Sequence, residues 1–183
     1  IISDEIISLK NPISTDLNTM RPSTFPNLLE AINQNKARMY LRAKIFEVGP
    51  NFSKSLPDQQ ENVATAIAYG SSDEQNWLSN KKNIDVFSIK ADLFSILANL
   101  NVPIDNLLYE KLEGQIYHPG KSSSLRLGKN KIANFGELHP VLLKIMNVNF
   151  KVYGFEIYLE NISQFQENKS CLLYTSDAAD DLG

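Results

Sequence analysis

Apolar residues recur with a helical period in three segments of the chain. The clearest is the set Phe25, Leu28, Leu29 and Ile32, whose i, i+3, i+4, i+7 spacing predicts one face of a helix. Ser23 or Thr24 is expected to cap this helix, and Pro26 suits its first turn. Similar stripes predict helices over residues 89–101 and 139–146.

Shorter apolar runs predict strands between these helices. The predicted strands are 1–9, 44–48, 63–69, 113–117, 124–127, 131–135 and 152–159. Helices and strands do not alternate strictly along the chain, so the pattern does not indicate a parallel βαβ sheet. It predicts an α+β domain with a mostly antiparallel sheet flanked by helices.

Composition narrows the class of protein. The chain has 183 residues, 43% of them hydrophobic and 21% charged, which is typical of one globular domain. A formal net charge of −3 argues against a broad face for nucleic acid or membrane, and no apolar run is long enough to span a bilayer. The single cysteine, Cys171, excludes an internal disulfide and gives no zinc spacing, which fits a cytoplasmic protein.

The segment His118–Ser124, HPGKSSS, contains the Gly-Lys-Ser that ends a phosphate-binding P-loop. A P-loop has four residues between its first glycine and the glycine of Gly-Lys-Ser, whereas five residues separate Gly114 from Gly120. The residues that follow alternate around Gly128 as a hairpin, not as a helix that could bind phosphate at its N-terminus. The segment is therefore predicted to be a proline-glycine turn with a solvated Lys121.

Four residues could form an acid–base site in a free-standing enzyme. They are Glu47 and Glu156 on predicted strands and His118 and His139, each followed by a proline. Glu137 lies near His139, but no third ligand has the spacing of a zinc site and no nucleophile accompanies the histidines. The alternative expectation is that the histidines bind backbone in turns and that the glutamates are solvated or paired with basic residues.

Both ends of the chain look unusual. The start, IISDEIISLKNP, is typical of mid-chain sequence, and residues 1 to about 170 are interpreted as an internal fragment of a longer protein. Residues 171–183, CLLYTSDAADDLG, resemble a translated sequencing adapter. We expect this tail to pack poorly on the rest.

Seven segments in order resemble the bacterial phenylalanyl-tRNA synthetase β subunit, in its region similar to a class II synthetase catalytic core. They are LKNPIS (9–14), TMRPSTFPNLLEAINQN (19–35), KIFEVGPNF (44–52), DVFSIKADLFSIL (85–97), YHPGKSS (117–123), FGELHP (135–140) and YGFEIYLENI (153–162). Ala91 and Ser123 depart from the family, which usually has Gly and Ala there. In the family the HPGKS segment is a turn, and Lys121 stands at the position where the family has a basic residue.

The resemblance implies a division of the chain and a role. Residues 1–165 are expected to form the core-like module, with natural sequence ending at 166–170 and the tail at 171–183. The whole enzyme is implied to be an (αβ)₂ heterotetramer that uses ATP and Mg²⁺ to charge tRNA(Phe) with phenylalanine. The α subunit is implied to perform the chemistry, and the β module to support it, without catalytic, cofactor or metal residues of its own.

The charged residues at the corresponding positions agree with the expected absence of catalytic residues. Class II enzymes use arginines to stabilise charge on ATP phosphates, but the corresponding strand-loop here has Glu47 and no arginine. If Gly154 aligns with the first glycine of the later family motif, its other glycines become Glu156 and Tyr158 and its arginine becomes Asn161. The fragment is therefore expected to bind neither ATP nor phenylalanine.

The resemblance also gives the first helix a second interpretation. The helix after MRPS corresponds to the dimerisation motif, so its apolar face is expected to stay partly uncovered for the α subunit instead of packing in its own core. The residues assigned to this subunit interface are Arg21, Phe25, Leu28, Leu29 and Ile32.

A minor RNA-contacting role is the remaining alternative. It would require one contiguous basic surface, and the residues that could form it are Arg21, Lys36, Arg38, Lys121 and Arg126.

Overall fold

The computed structural model describes residues 6–13, 18–53, 58, 60–71, 83–112 and 114–166. The helices are α1 (Phe25–Ala37), α2 (Val86–Asn99), α3 (Pro140–Ile145) and α4 (Ser163–Gln166), with a short 3₁₀-helix at Ile104–Asn106. The strands are β1 (Ala43–Phe52), β2 (Gln60–Tyr69), β3 (Leu108–Glu110), β4 (Tyr117–Leu127), β5 (Asn130–Leu138) and β6 (Tyr153–Tyr158). The predicted tail at 171–183 lies outside the described residues.

The strands form one antiparallel sheet in the order β1-β2-β6-β5-β4-β3. This confirms the predicted α+β class and antiparallel sheet. Strand β3 was not predicted, because its three exposed residues carry no alternating pattern. The expected first strand is partly outside the described residues, and its described part makes one isolated bridge, Ser8 to Thr19.

Helix α1 begins where the sequence predicts, but its N-terminus is built differently. Thr24 occupies the cap position without a capping side-chain bond. Its hydroxyl donates instead to the Thr65 hydroxyl on β2, at 2.6 Å. Pro26 lies in the first turn as expected. The threonine therefore joins the helix to the sheet and does not stabilise the helix end.

The apolar face of α1 is covered by this chain itself. Phe25, Leu28, Leu29 and Ile32 are 0–5% exposed. They pack with side chains from the sheet and from the region of α3. The expectation of an uncovered face on these four residues is therefore wrong. Gly154 of β6 lies against the Phe25 ring: a Cβ at that position would approach the ring to 3.3 Å and the Ala66 carbonyl oxygen to 2.8 Å.

Helix α2 covers the opposite face of the sheet. The helix begins three residues earlier than predicted, because the Asp85 carboxylate accepts the Ser88 N–H at 2.8 Å and caps it. Ile89, Leu93 and Leu97 form its buried stripe. They pack against residues of β4, β5 and β6 that include Leu125, Phe135 and Ile157. The domain therefore has three layers, with a core on each side of the sheet.

The HPGKS segment lies inside strand β4. Regular pairing with β5 stops between Tyr117 and Ser122. Four residues of β4, 118–121, lie there opposite the single residue Glu137 and form a bulge. Gly136 permits this geometry: its φ is +156°, and an added Cβ would lie 2.5 Å from the Lys121 carbonyl oxygen. The predicted turn is therefore a bulge within a continuing strand.

The burial of α1 predicts a loss of stability when its apolar face is truncated. We expect Leu29→Ala to lower the free energy of unfolding by about 2–5 kcal/mol, because Leu29 is fully buried and the cavity left behind cannot close completely. Denaturant unfolding followed by circular dichroism measures the change. Leu108→Ala is the matched control, since Leu108 is 64% exposed and its loss should change stability by less than about 0.5 kcal/mol. Equal effects would contradict the core position of α1.

Candidate functional site

A row of polar residues crosses the sheet on the face that α1 packs against. The strand register places Glu47 opposite Thr65, Thr65 opposite Glu156, and Glu156 opposite Asn134. Ser124 follows opposite Asn134 on β4. Directly opposed residues share a face of an antiparallel sheet, so five neighbouring strands each contribute one polar side chain to the row.

Glu156 lies at the centre of this row and is almost fully buried. Its carboxylate oxygens accept from the Tyr158 hydroxyl at 3.2 Å and from the Asn51 amide at 3.5 Å. The Asn134 amide in turn donates to the Tyr158 hydroxyl at 2.8 Å. Two amides and a phenol thus hold the carboxyl group, and no direct ion pair to it is described.

Burial decides how this network titrates. Removal from water raises the pKa of Glu156, and the bonds from Tyr158, Asn134 and Asn51 together with the charge of Lys131 only partly oppose the shift. Burial and the neighbouring Glu156 also raise the pKa of Tyr158 and of Tyr117. Glu61 shows the same direction, since burial and the charges of Glu160 and Glu156 raise its pKa. The site therefore favours the protonated form of its acids.

Several polar atoms around Glu156 have no protein partner among the described residues. They are Asn51 Oδ1, Asn134 Oδ1, Tyr117 Oη and Ser124 Oγ. Buried polar atoms without protein partners are uncommon in folded proteins and are often satisfied by ordered water. The polar row therefore offers places for bound water inside the domain.

Glu47 lies at the end of the row on the edge strand. It forms an ion pair with Arg21, whose Nε also donates to the Pro50 carbonyl at 2.9 Å. The guanidinium lies so close to the strand that a Cβ at Gly49 would collide with it. The strand that corresponds to the arginine-bearing strand of class II enzymes thus has its Glu47 carboxylate paired with Arg21 of this chain.

The two histidines come together at the surface of the domain. The rings of His118 and His139 stack with centroids 6.3 Å apart. Each Nδ1 accepts a backbone N–H two residues ahead, from Gly120 and from Val141, at 3.1 Å. Both histidines therefore bind backbone, as one of the two sequence interpretations expected.

The two glutamates of the acid–base alternative bind different partners. Glu47 pairs with Arg21, and Glu156 belongs to the buried network, with Thr65 of β2 between them. Glu137, the acid near the histidines, accepts from Lys121 at 2.9 Å, so Lys121 is paired and not simply solvated. Nothing in this arrangement supports a free-standing acid–base enzyme.

Four of the five basic residues of the RNA alternative have partners within the domain. Arg21 and Lys121 are paired as described, and Arg126 lies 2.5 Å from Glu110. Lys36 Nζ lies over the rings of Tyr69 and Phe150. These pairings partly neutralise the positive charge of the proposed basic surface.

Sequence reasoning missed the partners of Glu156. Asn51 and Asn134 lie in different strands from Glu156, so only the assembled sheet reveals that they share one site with it. A polar residue within an otherwise apolar strand, such as Asn134, was the available signal. Among the described residues no group of three or more potential metal ligands occurs. No described helix is long and apolar enough to cross a membrane.

The raised pKa of Glu156 predicts a pH-dependent stability. The folded state keeps the proton to a higher pH than the unfolded state does, so the free energy of unfolding falls as pH rises from the ordinary glutamate pKa, about 4.3, to the folded pKa. We expect Glu156→Gln to reduce this fall by about 1.4 kcal/mol for each unit that separates the two pKa values. Urea unfolding at a series of pH values measures it.

Glu30→Gln provides the control for this experiment, because Glu30 lies on the exposed face of α1. It should leave the pH profile of stability unchanged. A Glu156→Gln profile parallel to that of the original protein would show that burial of Glu156 does not govern its ionisation.

Comparison with known proteins identifies the family. The family model described as "Phenylalanyl tRNA synthetase beta chain CLM domain" matches residues 2–159. The phenylalanine–tRNA ligase beta subunit of Rhodospirillum rubrum is 37% identical over 156 residues, which are 85% of this chain and 20% of that protein. The corresponding subunit of Paramagnetospirillum magneticum is 40% identical over 152 residues, covering 83% and 19%.

The solved structures confirm the fold class. A pyrrolysyl tRNA synthetase from Desulfitobacterium hafniense superposes with a TM-score of 0.63 at 13% identity, covering 91% of this chain and 55% of that one. This likeness shows a class II synthetase core fold and carries no further meaning. The chain spans about a fifth of the length of the curated relatives it matches. With the fold and the sequence in agreement, the chain belongs to the family of the phenylalanyl tRNA synthetase beta chain CLM domain.

Proposed function

We propose that this domain is a non-catalytic, core-like scaffold of a phenylalanine–tRNA ligase β subunit. It supports an α subunit that uses ATP and Mg²⁺ to charge tRNA(Phe) with phenylalanine in the cytoplasm, within an (αβ)₂ heterotetramer. The observation that carries the proposal is that this chain's own side chains fill the α1 face of its sheet. Phe25 covers Gly154, and Glu156 with its amide partners lies beside it.

The residues on this face do not have the charges that a binding site for a nucleoside triphosphate requires. Stabilising phosphate charge requires cations directed at the ligand. On this face Arg21 is paired with Glu47, Lys131 lies over the Tyr158 ring, and the central group is the carboxyl of Glu156. We therefore derive no chemical step on this face and assign ATP, Mg²⁺ and phenylalanine to the α subunit.

A scaffold role predicts that the former acid–base candidates are dispensable for chemistry. In the full α–β enzyme, we expect His118→Ala and His139→Ala in β to leave kcat/KM for tRNA charging within about threefold of the original. A general acid or base contributes about 10²–10⁴-fold to the rate. Aminoacylation assays normalised to assembled complex make the measurement. A hundredfold loss in a normally assembled complex would overturn the non-catalytic assignment.

The supporting role itself predicts a loss of assembly in a destabilised domain. In full-length β, Leu29→Ala should reduce the amount of α that co-purifies, while activity for each assembled complex stays unchanged. Leu108→Ala is again the control. Normal co-purification with lowered activity for each complex would show that the domain affects chemistry directly.

The poor fit to phosphate predicts the outcome of a binding experiment. Calorimetric titration of this chain with ATP·Mg²⁺ is expected to show no saturable binding in the micromolar range, since Arg21 on this face is paired with Glu47 and a carboxyl group lies at its centre. The assembled α–β enzyme serves as the positive control. Stoichiometric micromolar binding by the chain would contradict the scaffold proposal.

A further inference from the structure

Strand β1 forms an edge of the sheet, and its middle is open. The Phe52 N–H donates to the Arg21 carbonyl at 2.9 Å, so even-numbered residues of β1 direct their backbone groups away from β2. The register with β2 runs without a shift over 43–52. The N–H and C=O groups of Phe46 and Val48 therefore point outward, and no residue in the described part of the chain bonds them.

The same two residues expose large apolar side chains. Phe46 is 76% exposed and Val48 is 58% exposed. Both line a groove of about 500 Å³ between β1 and α2. Ala64 and Ala66 of β2 form its floor, and Ile96 of α2 lies at its wall. Open backbone groups and an apolar groove thus occur side by side.

Both ends of this open stretch are closed. At one end Pro50 lacks an N–H, and its carbonyl accepts from Arg21. At the other end Lys44 is 2.7 Å from Asp92 of α2. Proteins usually protect edge strands by proline, by charge or by covering segments. Here those devices frame about five residues and leave the middle unprotected, which is typical of a strand-addition site.

We propose that an extended segment of the same full-length β subunit, outside residues 6–166, adds to this edge as a further strand. Part of the same edge is already covered in cis, because Arg21 from the segment before α1 bonds Phe52 and Pro50. The relatives are about five times longer than their match to this chain, so much polypeptide is tethered to the domain. A tethered segment binds in an intramolecular step, so it competes well against segments of other chains.

The groove defines the chemistry of the added segment. Covering residues 45–49 requires roughly five residues, or about 17 Å of extended chain. Side chains above the groove must be apolar to cover Phe46 and Val48. Side chains on the opposite face meet the ion pair of Glu47 with Arg21 and must be polar. The segment therefore alternates apolar and polar residues. This inference concerns completion of the β sheet, and it holds whether or not the domain supports the α subunit.

Photo-crosslinking in the full α–β enzyme identifies the occupant. A benzophenone amino acid replaces Phe46 in full-length β, and the enzyme is assembled from ¹⁵N-labelled and unlabelled β. We expect the crosslinked peptide to come from the same β chain, outside residues 6–166. A crosslink to α, a crosslink joining labelled to unlabelled β, or no crosslink would overturn the proposal. The same replacement at Val141, exposed on α3, is the control site.

Hydrogen exchange gives an independent test on the same enzyme. The amides of Phe46 and Val48 are expected to exchange at least about 100-fold more slowly than those of an open edge, because a ladder bond must break first. Val48→Asp should remove this protection, whereas the matched Val141→Asp should not. Exchange of both amides at the open-edge rate in the original enzyme would exclude strand addition. These readouts do not involve tRNA charging, so they can fail while the scaffold proposal stands.

Discussion

Strand β6 is the element on which the rest of this domain depends. Strands β1 and β2 pair as one hairpin, and β3, β4 and β5 pair as a second local group. Among the described strands, β6 alone joins the two groups, because it pairs with β2 on one side and β5 on the other. Its six residues make one sheet from two, and they place both the α1 core and the α2 core on a continuous surface.

The same strand explains why the polar row exists. Because β6 lies between β2 and β5, Glu156 meets Thr65 on one side and Asn134 on the other. Tyr158, two residues along the strand, then reaches both Glu156 and Asn134. A class II core fold with this filling keeps the sheet of a synthetase but uses its face for internal contacts.

The sequence could predict the local elements but not their assembly. Period and turn residues indicated the helices, five of the six strands and the antiparallel class, because those signals act over a few residues. The insertion of β6 between β2 and β5 carries no local signal. For the same reason the partners of Glu156 were missed, since Asn51 lies 105 residues away from it. The apolar face of α1 has the same pattern whether it packs on its own sheet or on another chain. Only the assembled structure shows that the Phe25 ring packs within this chain, against Gly154 and the core cluster of α1.

The position of β6 also affects synthesis of the domain on the ribosome. The two strand groups emerge first, and each must wait with an unpaired inner edge, β2 in one and β5 in the other. Neither edge can close until residues 153–158 have left the exit tunnel, so the sheet is completed almost at the end of the domain's translation. During that interval the two edges are open to wrong partners, including those of neighbouring nascent chains. The strand that is synthesised last, β6, is therefore the strand that completes the centre of the sheet.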